Sequence, residues 1–379
     1  MRKKILYNTL FFLCTAFICI GQQEIQSTQY MLNPFLLNPA YSSVDNNRDL
    51  KIGYRSQWFS LEGAPVTQYI SFHTPIGKSR FARTHPGDFH NWHGLGFVLL
   101  KDEIGAYSNT KINASYSYNI GLSNGTKFGY YHQDGLRFAL GAFVGWSTFA
   151  VDKDILAMTK TSYNTRKTYY PTVDDPTYKD MLAKSKQATF DLSFGGMLYY
   201  NETYYLGVSS TQLLESDFAL TDKTNLSRHY FISGLVKLQV SEDLYIIPSV
   251  ISKMVKAAPL SVNYSVRADW QDKLYLGMGY RTQDAITFMT GAQIKWGEKI
   301  KHFRVDKHRY QMYIYYSYDH TISDLGDKDY VNRSKGSHEF TLGFLLPPWY
   351  EERNAEDTWK GWKRGKRKKN YKHFFKKVF

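Results

Sequence analysis

The sequence predicts an all-β protein: a closed antiparallel transmembrane β-barrel of about 14 strands, with an N-terminal extended arm and a basic C-terminal tail. Three observations predict the barrel. Apolar and polar residues alternate in about fourteen segments, Tyr, Phe and Trp make up 17% of the chain, and no apolar run reaches the roughly 18 residues of a transmembrane helix. Most segments have eight to fourteen residues, whereas a tilted strand needs about 9 to 11 to cross a bilayer. Strands of soluble sandwiches usually have about five or six.

Residues 1–21 form a predicted signal peptide. Basic residues at positions 2–4 precede an apolar run, and Gly21 precedes polar Gln22, which is the pattern of a cleaved secretory leader. The alternative, a retained membrane anchor, is disfavoured because the run is too short to span a bilayer. Both cysteines lie in this leader, so the mature chain has no disulfide, thiolate metal site or cysteine nucleophile.

Residues 22–49 form a predicted N-terminal arm, and its stretch TQYMLNPFLLNPAYSS contains two Asn-Pro steps. A residue before proline is driven into extended geometry, and proline cannot donate to a β-ladder. We therefore predict fixed turns with an apolar surface, packed within or under the barrel mouth as a plug or a docking edge. The alternative is an arm that only anchors the N-terminus to the barrel wall. The arm residues predicted to bind a partner are Gln29, Tyr30, Asn33, Pro34, Asn38, Pro39 and Tyr41.

Residues 50–347 form the predicted outer-membrane barrel. One clear example of period-two alternation is the segment from Ile112 to Ile120, in which Asn and Ser occupy every second position. The predicted strands are 50–57, 66–75, 92–101, 108–121, 136–150, 187–200, 203–213, 228–240, 243–255, 260–270, 273–283, 286–297, 309–320 and 337–347.

The lengths of the connections between these segments test the barrel. Outer-membrane barrels have short periplasmic turns and longer external loops. With strand one running outward, the tight connections 201–203, 241–243 and 271–272 are periplasmic, and the long connections 151–186, 214–227 and 321–336 are external. Three connections do not follow this rule: 76–91 and 298–308 are long although they are assigned to the periplasmic side, and 284–285 is short although it is assigned to the external side. A soluble β-sandwich is the alternative, but only closure satisfies every backbone group of an all-β chain in lipid.

Residues 348–379 form a predicted periplasmic basic tail. The formal net charge of the chain is +14, and ten Lys or Arg with no acid lie in Lys360–Phe379. Because the basic charge lies mainly in the tail and the leader, the folded body does not have the basic face of a nucleic-acid-binding protein. We predict acidic protein surfaces or anionic lipid head groups as partners of the tail, and no nucleic acid; a solvated, disordered tail is the alternative. The tail residues predicted to bind a partner are Trp359, Trp362, Lys363, Arg364, Lys366, Arg367, Lys368, Lys369, Phe374 and Phe375.

Seven stretches that occur in order between residues 26 and 346 together resemble the PorP/SprF family of outer-membrane proteins associated with type IX secretion and gliding motility. They are QYMLNPFLLNPAYSS, IGYRSQW, SFHTPIG, IPSVISKM, YRTQDAITFMTGAQI, YYSYDHTIS and SHEFTLGF. The resemblance implies a multi-pass outer-membrane barrel that partners a secreted surface adhesin or its C-terminal domain, helps to deliver and anchor it, and contacts periplasmic lipoproteins or motor-linked components. It does not extend to the basic tail.

Other candidate sites carry weaker signals. The loop from His85 to His93 contains three histidines and Asp88, but their spacing matches no metal motif and a polar turn is expected. Charges at predicted lumen-facing positions could line the path of a guest or simply fill the interior; they are Arg137, Asp191, Arg267, Asp269, Arg281 and Asp319. No catalytic, cofactor or metal residues are assigned, and the chain is predicted not to be an enzyme. A passive porin or small-solute channel is the alternative function, followed by an outer-membrane hydrolase.

Overall fold

The computed structural model describes the arm and the barrel of the chain. The described residues are 26–45, 47–77, 91–123, 127–128, 131–132, 135–152, 186–216, 226–256, 258–302, 305–323, 326 and 334–346. The predicted leader, the basic tail and the first two histidines of the loop before His93 lie outside the described residues. Within the described part, no helix is long and apolar enough to cross a membrane.

Fourteen long strands match the fourteen predicted segments one for one. They are β1 (Arg48–Ser56), β2 (Val66–Ile76), β3 (Trp92–Ile104), β4 (Tyr107–Gly121), β5 (Leu136–Val151), β6 (Lys186–Tyr200), β7 (Tyr204–Thr211), β8 (His229–Val236), β9 (Leu244–Val255), β10 (Ser261–Trp270), β11 (Leu274–Arg281), β12 (Ala285–His302), β13 (Val305–Thr321) and β14 (Ser337–Leu346). A short piece, Leu238–Gln239, continues β8 along β9, and Lys127–Phe128 pairs separately with Tyr131–His132.

The strands close into a ring. Each strand is antiparallel to its neighbour in the chain, and β1 pairs with β14 from Arg48↔Leu346 to Ser56↔His338. This closure removes the unpaired sheet edges that an all-β chain could not satisfy in lipid. The prediction of a closed 14-stranded barrel is therefore confirmed, and the β-sandwich alternative is wrong.

The outward-facing side chains are mostly apolar and the inward-facing ones mostly polar, with Tyr69, Val98, Leu100 and Phe143 among the apolar exceptions that face inward. On β4, Ile112 and Tyr116 are 46% and 52% exposed, whereas Ser117 and Asn119 are fully buried. This arrangement is the reverse of a soluble β-protein, in which apolar side chains fill the interior. A continuous apolar outer belt around a polar interior is the surface of a barrel that meets lipid.

The two rims of the barrel differ in the length of their connections. We call the rim at which β1 begins and β14 ends the lower rim, and the opposite one the upper rim. The two longest connections, 152–185 and 212–228, lie at the upper rim, together with 322–336 and the tight turns 105–106 and 282–284. The lower rim has the tight turns 201–203 and 271–273 and two longer connections, 77–91 and 122–135. The pattern of short and long connections predicted from the sequence is confirmed at 201–203, 271–273, 152–185, 212–228 and 322–336.

One predicted connection is wrong. Residues 298–308 were expected to form a long loop, but β12 continues to His302 and β13 starts at Val305, with a register shift between Trp296 and Lys299. The segment is rich in charge, which suggests a loop. A two-stranded ladder tolerates such residues where it extends beyond the lipid belt, because both faces then meet water.

Candidate functional site in the barrel lumen

The N-terminal arm lies inside the barrel. Its two Asn-Pro steps each start a short 3₁₀ helix, Pro34–Leu36 and Pro39–Ser43, with proline in the first turn. Proline suits this position because its fixed φ matches the helix and its missing N–H has no partner there. Asn38 is extended (φ −138°, ψ 108°), and its side chain accepts a hydrogen bond from the Ala40 amide at 3.0 Å. The motif therefore forms two rigid turns, as the sequence predicted.

The first described part of the arm is held at the upper rim by a buried network of charges centred on Thr28. The Thr28 hydroxyl accepts from Arg55 Nη1 at 2.7 Å and from Arg281 Nη2 at 3.0 Å, and it donates to Asp319 Oδ2 at 2.7 Å. Two accepted bonds and one donated bond satisfy the full capacity of a hydroxyl group. Thr28 is only 3% exposed, so water does not replace these partners.

The same network binds the arm to the last strand. Glu339 on β14 accepts from the Ser27 hydroxyl at 2.7 Å and from the Thr28 amide at 2.8 Å, and it pairs with Arg55 at 3.0 Å. Arg55 also pairs with Asp319 at 2.8 Å. Removing one member of such a buried group leaves an uncompensated charge, so the network holds the arm in one position.

The middle of the arm combines polar anchors with aromatic packing. The Tyr30 hydroxyl lies 2.8 Å from the Ser265 hydroxyl, and Asn33 donates to Ser71 at 2.9 Å. Phe35 is fully buried, with its ring centroid 5.2 Å from that of Phe143. Side chains from opposite walls thus converge on the arm and occupy the centre of the lumen.

Glycines in the wall let the arm backbone approach closely. A Cβ at Gly141 would lie 2.5 Å from the Ala40 nitrogen, and a Cβ at Gly94 would lie 2.5 Å from the Ser43 nitrogen. Backbone atoms on both sides cannot move aside as a flexible side chain can. The wall at these positions therefore fits the arm only because it has no side chain there.

At the lower rim, the end of the arm meets β2, β3 and β4. Trp92 and Asn119 both donate to the Ser43 carbonyl, at 2.6 and 3.0 Å. Asp45 Oδ2 lies 3.5 Å from His73 Nε2. The arm is thus hydrogen-bonded to the wall at both rims.

Asp45, Asp49 and His73 also place three potential metal-ligand atoms within 4.8 Å of one another. Lys51 forms an ion pair with Asp49, so one of the two carboxylates already has a cation beside it. Burial raises the pKa of Asp45, but the nearby His73 ring and Lys51 ammonium outweigh burial and leave this pKa below its ordinary value. The cluster stabilises the charged carboxylate that joins the arm to β2.

The arm crosses the lumen from rim to rim. Gln26 contacts Gln57 and Asp284 at the upper rim, whereas Ser43 lies at the lower rim, where β1 begins. Fourteen strands bring the start of β1 and the end of β14 to one rim, as expected. The arm adds one more crossing, so Gln26, the first described residue, lies at the rim opposite to Leu346.

The arm residues that the sequence singled out for partner binding face the barrel. Gln29, Tyr30, Asn33, Asn38 and Pro39 are buried, and Pro34 and Tyr41 are partly buried. A partner would reach them only after the arm leaves the lumen, and their partner role stays a prediction. The tail residues from Trp359 to Phe375 lie outside the described residues.

Sequence reasoning missed three members of the upper-rim network: Thr28, Arg55 and Glu339. A signal was present for two of them. Arg55 follows Lys51 and Gly53 at period two, and Glu339 has the same phase as Thr341, so both strand residues belong to the lumen-facing set. Arg281 and Asp319, which the sequence assigned to the lumen, are 2% and 1% exposed and face it. Nothing in the local sequence of Thr28 indicates its partners, because all of them are distant in the chain.

Comparisons with known proteins give one family. A family model described as the type IX secretion system membrane protein PorP/SprF matches residues 20–344. No curated protein matches the chain by sequence. Among solved structures, the toluene transporter TbuX of Ralstonia pickettii has a TM-score of 0.45 and 8% identity, covering 85% of this chain and 94% of that one. A FadL homologue of Pseudomonas aeruginosa has a TM-score of 0.43 and 10% identity, covering 82% and 92%.

Proposed function

The chain belongs to the PorP/SprF family of type IX secretion system membrane proteins, and from this premise we propose that it is a plugged outer-membrane barrel that partners a surface protein exported by that system. In this proposal the barrel helps to deliver the exported protein and then anchors it at the cell surface. The client would be a large surface protein such as a gliding adhesin, or its C-terminal domain. The barrel itself is proposed to have no enzymatic role.

The filled lumen is the observation that supports an anchor over a passive channel. A 14-stranded barrel without an insert is intermediate between barrels filled by their own side chains and those with an aqueous channel. Here the arm occupies the centre and is hydrogen-bonded to the wall at both rims. A passive porin needs a continuous water path, which the buried arm obstructs.

The orientation of the barrel follows from its connections. Long connections are external and short ones periplasmic in outer-membrane barrels, so the upper rim faces the outside and the lower rim faces the periplasm. The client would then dock at the upper rim, where the longest connections are. The basic tail follows β14 at the lower rim and would contact a periplasmic lipoprotein, a motor-linked component or anionic lipid head groups.

Conductance and co-purification together test this function. The purified full chain in planar bilayers should show a low conductance with rare openings, and it should co-purify in mild detergent with a large secreted surface protein. A variant lacking residues 26–45 is the matched control and should conduct steadily. Steady open pores in the unaltered protein without a co-purified surface protein would favour the passive channel.

Removal of the tail tests the link to the periplasm separately. A variant lacking Lys360–Phe379 should insert normally, because the strands end at Leu346, but it should lose its crosslinks to periplasmic partners. Failure of the shortened barrel to assemble would contradict a docking role. Crosslinking that is unchanged without the tail would contradict it as well.

A further inference from the structure

The hairpin of β12 and β13 extends past both of its neighbours at the lower rim. The last pair between β11 and β12 is Leu274↔Ala292, but β12 continues to His302. The last pair between β13 and β14 is Gln311↔Leu345, while β13 starts at Val305. We call residues 294–302 and 305–310 the ribbon. The six residues of its second strand alone span about 20 Å at roughly 3.4 Å per residue.

The outer apolar belt ends where the ribbon begins. Ile294 and Trp296 are 48% and 42% exposed, and the ring of Trp296 stacks on that of Tyr310 with centroids 6.0 Å apart. Aromatic rings prefer the boundary between lipid and water. Directly after Trp296 the register shifts, and four further pairs run from Lys299↔His308 to His302↔Val305. These four pairs therefore project beyond the lipid boundary into the aqueous space below the lower rim.

Within the described residues, each strand of the ribbon forms its β-ladder only with the other, and Lys295 also forms an ion pair with Asp272 of the adjacent turn at 3.5 Å. β11 begins at Leu274, after the turn 271–273, so it does not continue along the outer edge of β12 beyond this turn. β14 ends at Leu346, so it does not continue along the outer edge of β13 beyond that residue. The two residues after Leu346 are Pro347 and Pro348, and proline cannot donate to a ladder.

The net positive charge of the ribbon favours an acidic partner. Residues 294–302 and 305–310 contain five Lys or Arg and two acids. Lysine on an edge strand discourages pairing with a like strand, so a second copy of this basic ribbon is disfavoured. An extended segment with alternating acidic residues would gain main-chain hydrogen bonds and opposite charge together.

We propose that the ribbon is a docking site at which an extended acidic segment of a periplasmic protein adds a third strand. This inference names the site and the chemistry of a periplasmic partner. It rests on the proposed function, because that function supplies the orientation in which the lower rim faces the periplasm. Main-chain pairing would supply the affinity, and the Lys and Arg side chains would select an acidic segment. The site is distinct from the basic tail.

Binding of a synthetic strand tests the docking site without any client protein. The probe is a fluorescent ten-residue peptide of alternating Glu and Val, titrated against the purified full chain in detergent. A peptide of the same composition with two Val replaced by Pro is the control for strand formation. We expect the alternating peptide to bind at least tenfold more tightly than the control and to slow amide exchange in residues 294–302 or 305–310. Equal binding of both peptides, or protection elsewhere only, would overturn the proposal.

Charge reversal supplies the matched variants. Lys299→Glu, Lys301→Glu and Lys307→Glu together should weaken peptide binding at least tenfold. Lys186→Glu, Lys256→Glu and Lys335→Glu make the same change of net charge at the upper rim and should leave binding unchanged. Equal losses of peptide affinity in both triple variants would show that the peptide is attracted by net charge alone and would overturn the proposed site.

A variant that lacks residues 348–379 tests whether the chain's own tail covers the ribbon. Tighter peptide binding after this deletion would show that the tail occupies the edge of the ribbon and would overturn the proposal of a separate protein partner. Unchanged peptide binding would support a separate partner. Because these assays contain no exported protein, their failure leaves the anchoring function to be judged by co-purification alone.

Discussion

Replacing Thr28 by valine should release the arm from the upper rim. Valine keeps the shape of threonine but removes the hydroxyl that joins Arg55, Arg281 and Asp319. Arg55 keeps its ion pairs with Asp319 and Glu339, whereas the Arg281 Nη2 donor loses its bond to the arm. The change should thus weaken docking of the arm while the strands keep their ladder.

The magnitude follows from the number of bonds lost. A hydrogen bond to a charged group contributes about 1.5–3 kcal/mol, and three such bonds end on this hydroxyl. Because the charges partly compensate one another after the change, we expect a net cost of about 3 kcal/mol, near that of one to two such bonds. Every 1.4 kcal/mol is about a factor of ten, so the released population of the arm should rise by about 100-fold.

Thiol labelling can measure this population because both cysteines of the chain, Cys14 and Cys19, lie in the predicted signal peptide. Ser42 is fully buried in the docked arm, and Ser42→Cys changes its volume little. The labelling rate by a maleimide, measured in detergent, reports the fraction of released arm when docking is fast relative to labelling. Thr28→Val in this background should label about 100 times faster than the parent.

Thr67→Val is the matched control. Its hydroxyl donates to Asp102 at 2.5 Å, so the substitution also removes a buried threonine bond to a carboxylate, but one that does not involve the arm. It should leave the labelling rate unchanged. Equal rates in the Thr28 and Thr67 variants would refute the role of the network as the latch of the arm.

Three further predictions follow from the wall, the belt and the path of the arm. Gly141→Ala should displace the arm, because the new Cβ would lie 2.5 Å from the Ala40 nitrogen. The rate of thiol labelling and the frequency of channel openings should both rise. Gly196→Ala is the control and should change neither, because its nearest contact would be at 3.5 Å. Val144→Arg on the lipid face should destabilise folding into vesicles by about 2–4 kcal/mol in a urea titration, and a cost near zero would contradict a lipid contact at this 44% exposed position. Gln26→Cys should react with an impermeant maleimide added to whole cells, whereas a cysteine appended after the basic tail should not; the opposite pattern would reverse the assigned orientation.

The barrel could be predicted from the sequence because its signal is local and repeated. Every strand carries the period-two alternation, and the ring is the only arrangement in lipid that leaves no unpaired edge. The positions of the Asn-Pro turns were also predictable, because proline fixes its own φ and restricts the residue before it. The loop predicted at residues 298–308 was wrong, because alternation weakens where a ladder leaves the lipid and both of its faces meet water.

The path of the arm could not be predicted in the same way. Its polar anchors Thr28, Tyr30 and Asn33 meet residues that lie 27 to 311 positions away in the chain. Such contacts depend on which strand faces which across the lumen, and this follows from the register of the whole ring. The sequence indicated a rigid segment with an apolar surface near the mouth, but not a complete crossing.

The position of the upper-rim network couples docking of the arm to closure of the barrel. Arg55 lies on β1, Glu339 on β14 and Asp319 on β13, so their ion pairs cross the seam where the first and last strands meet. Thr28 joins this seam to Arg281 on β11. An open ring could not hold these four side chains around Thr28, and a ring without the arm would leave buried charges short of a partner. Docking and closure therefore stabilise each other, and the effects of Thr28→Val and Glu339→Gln on unfolding should fall short of additive, because each removes part of the same network.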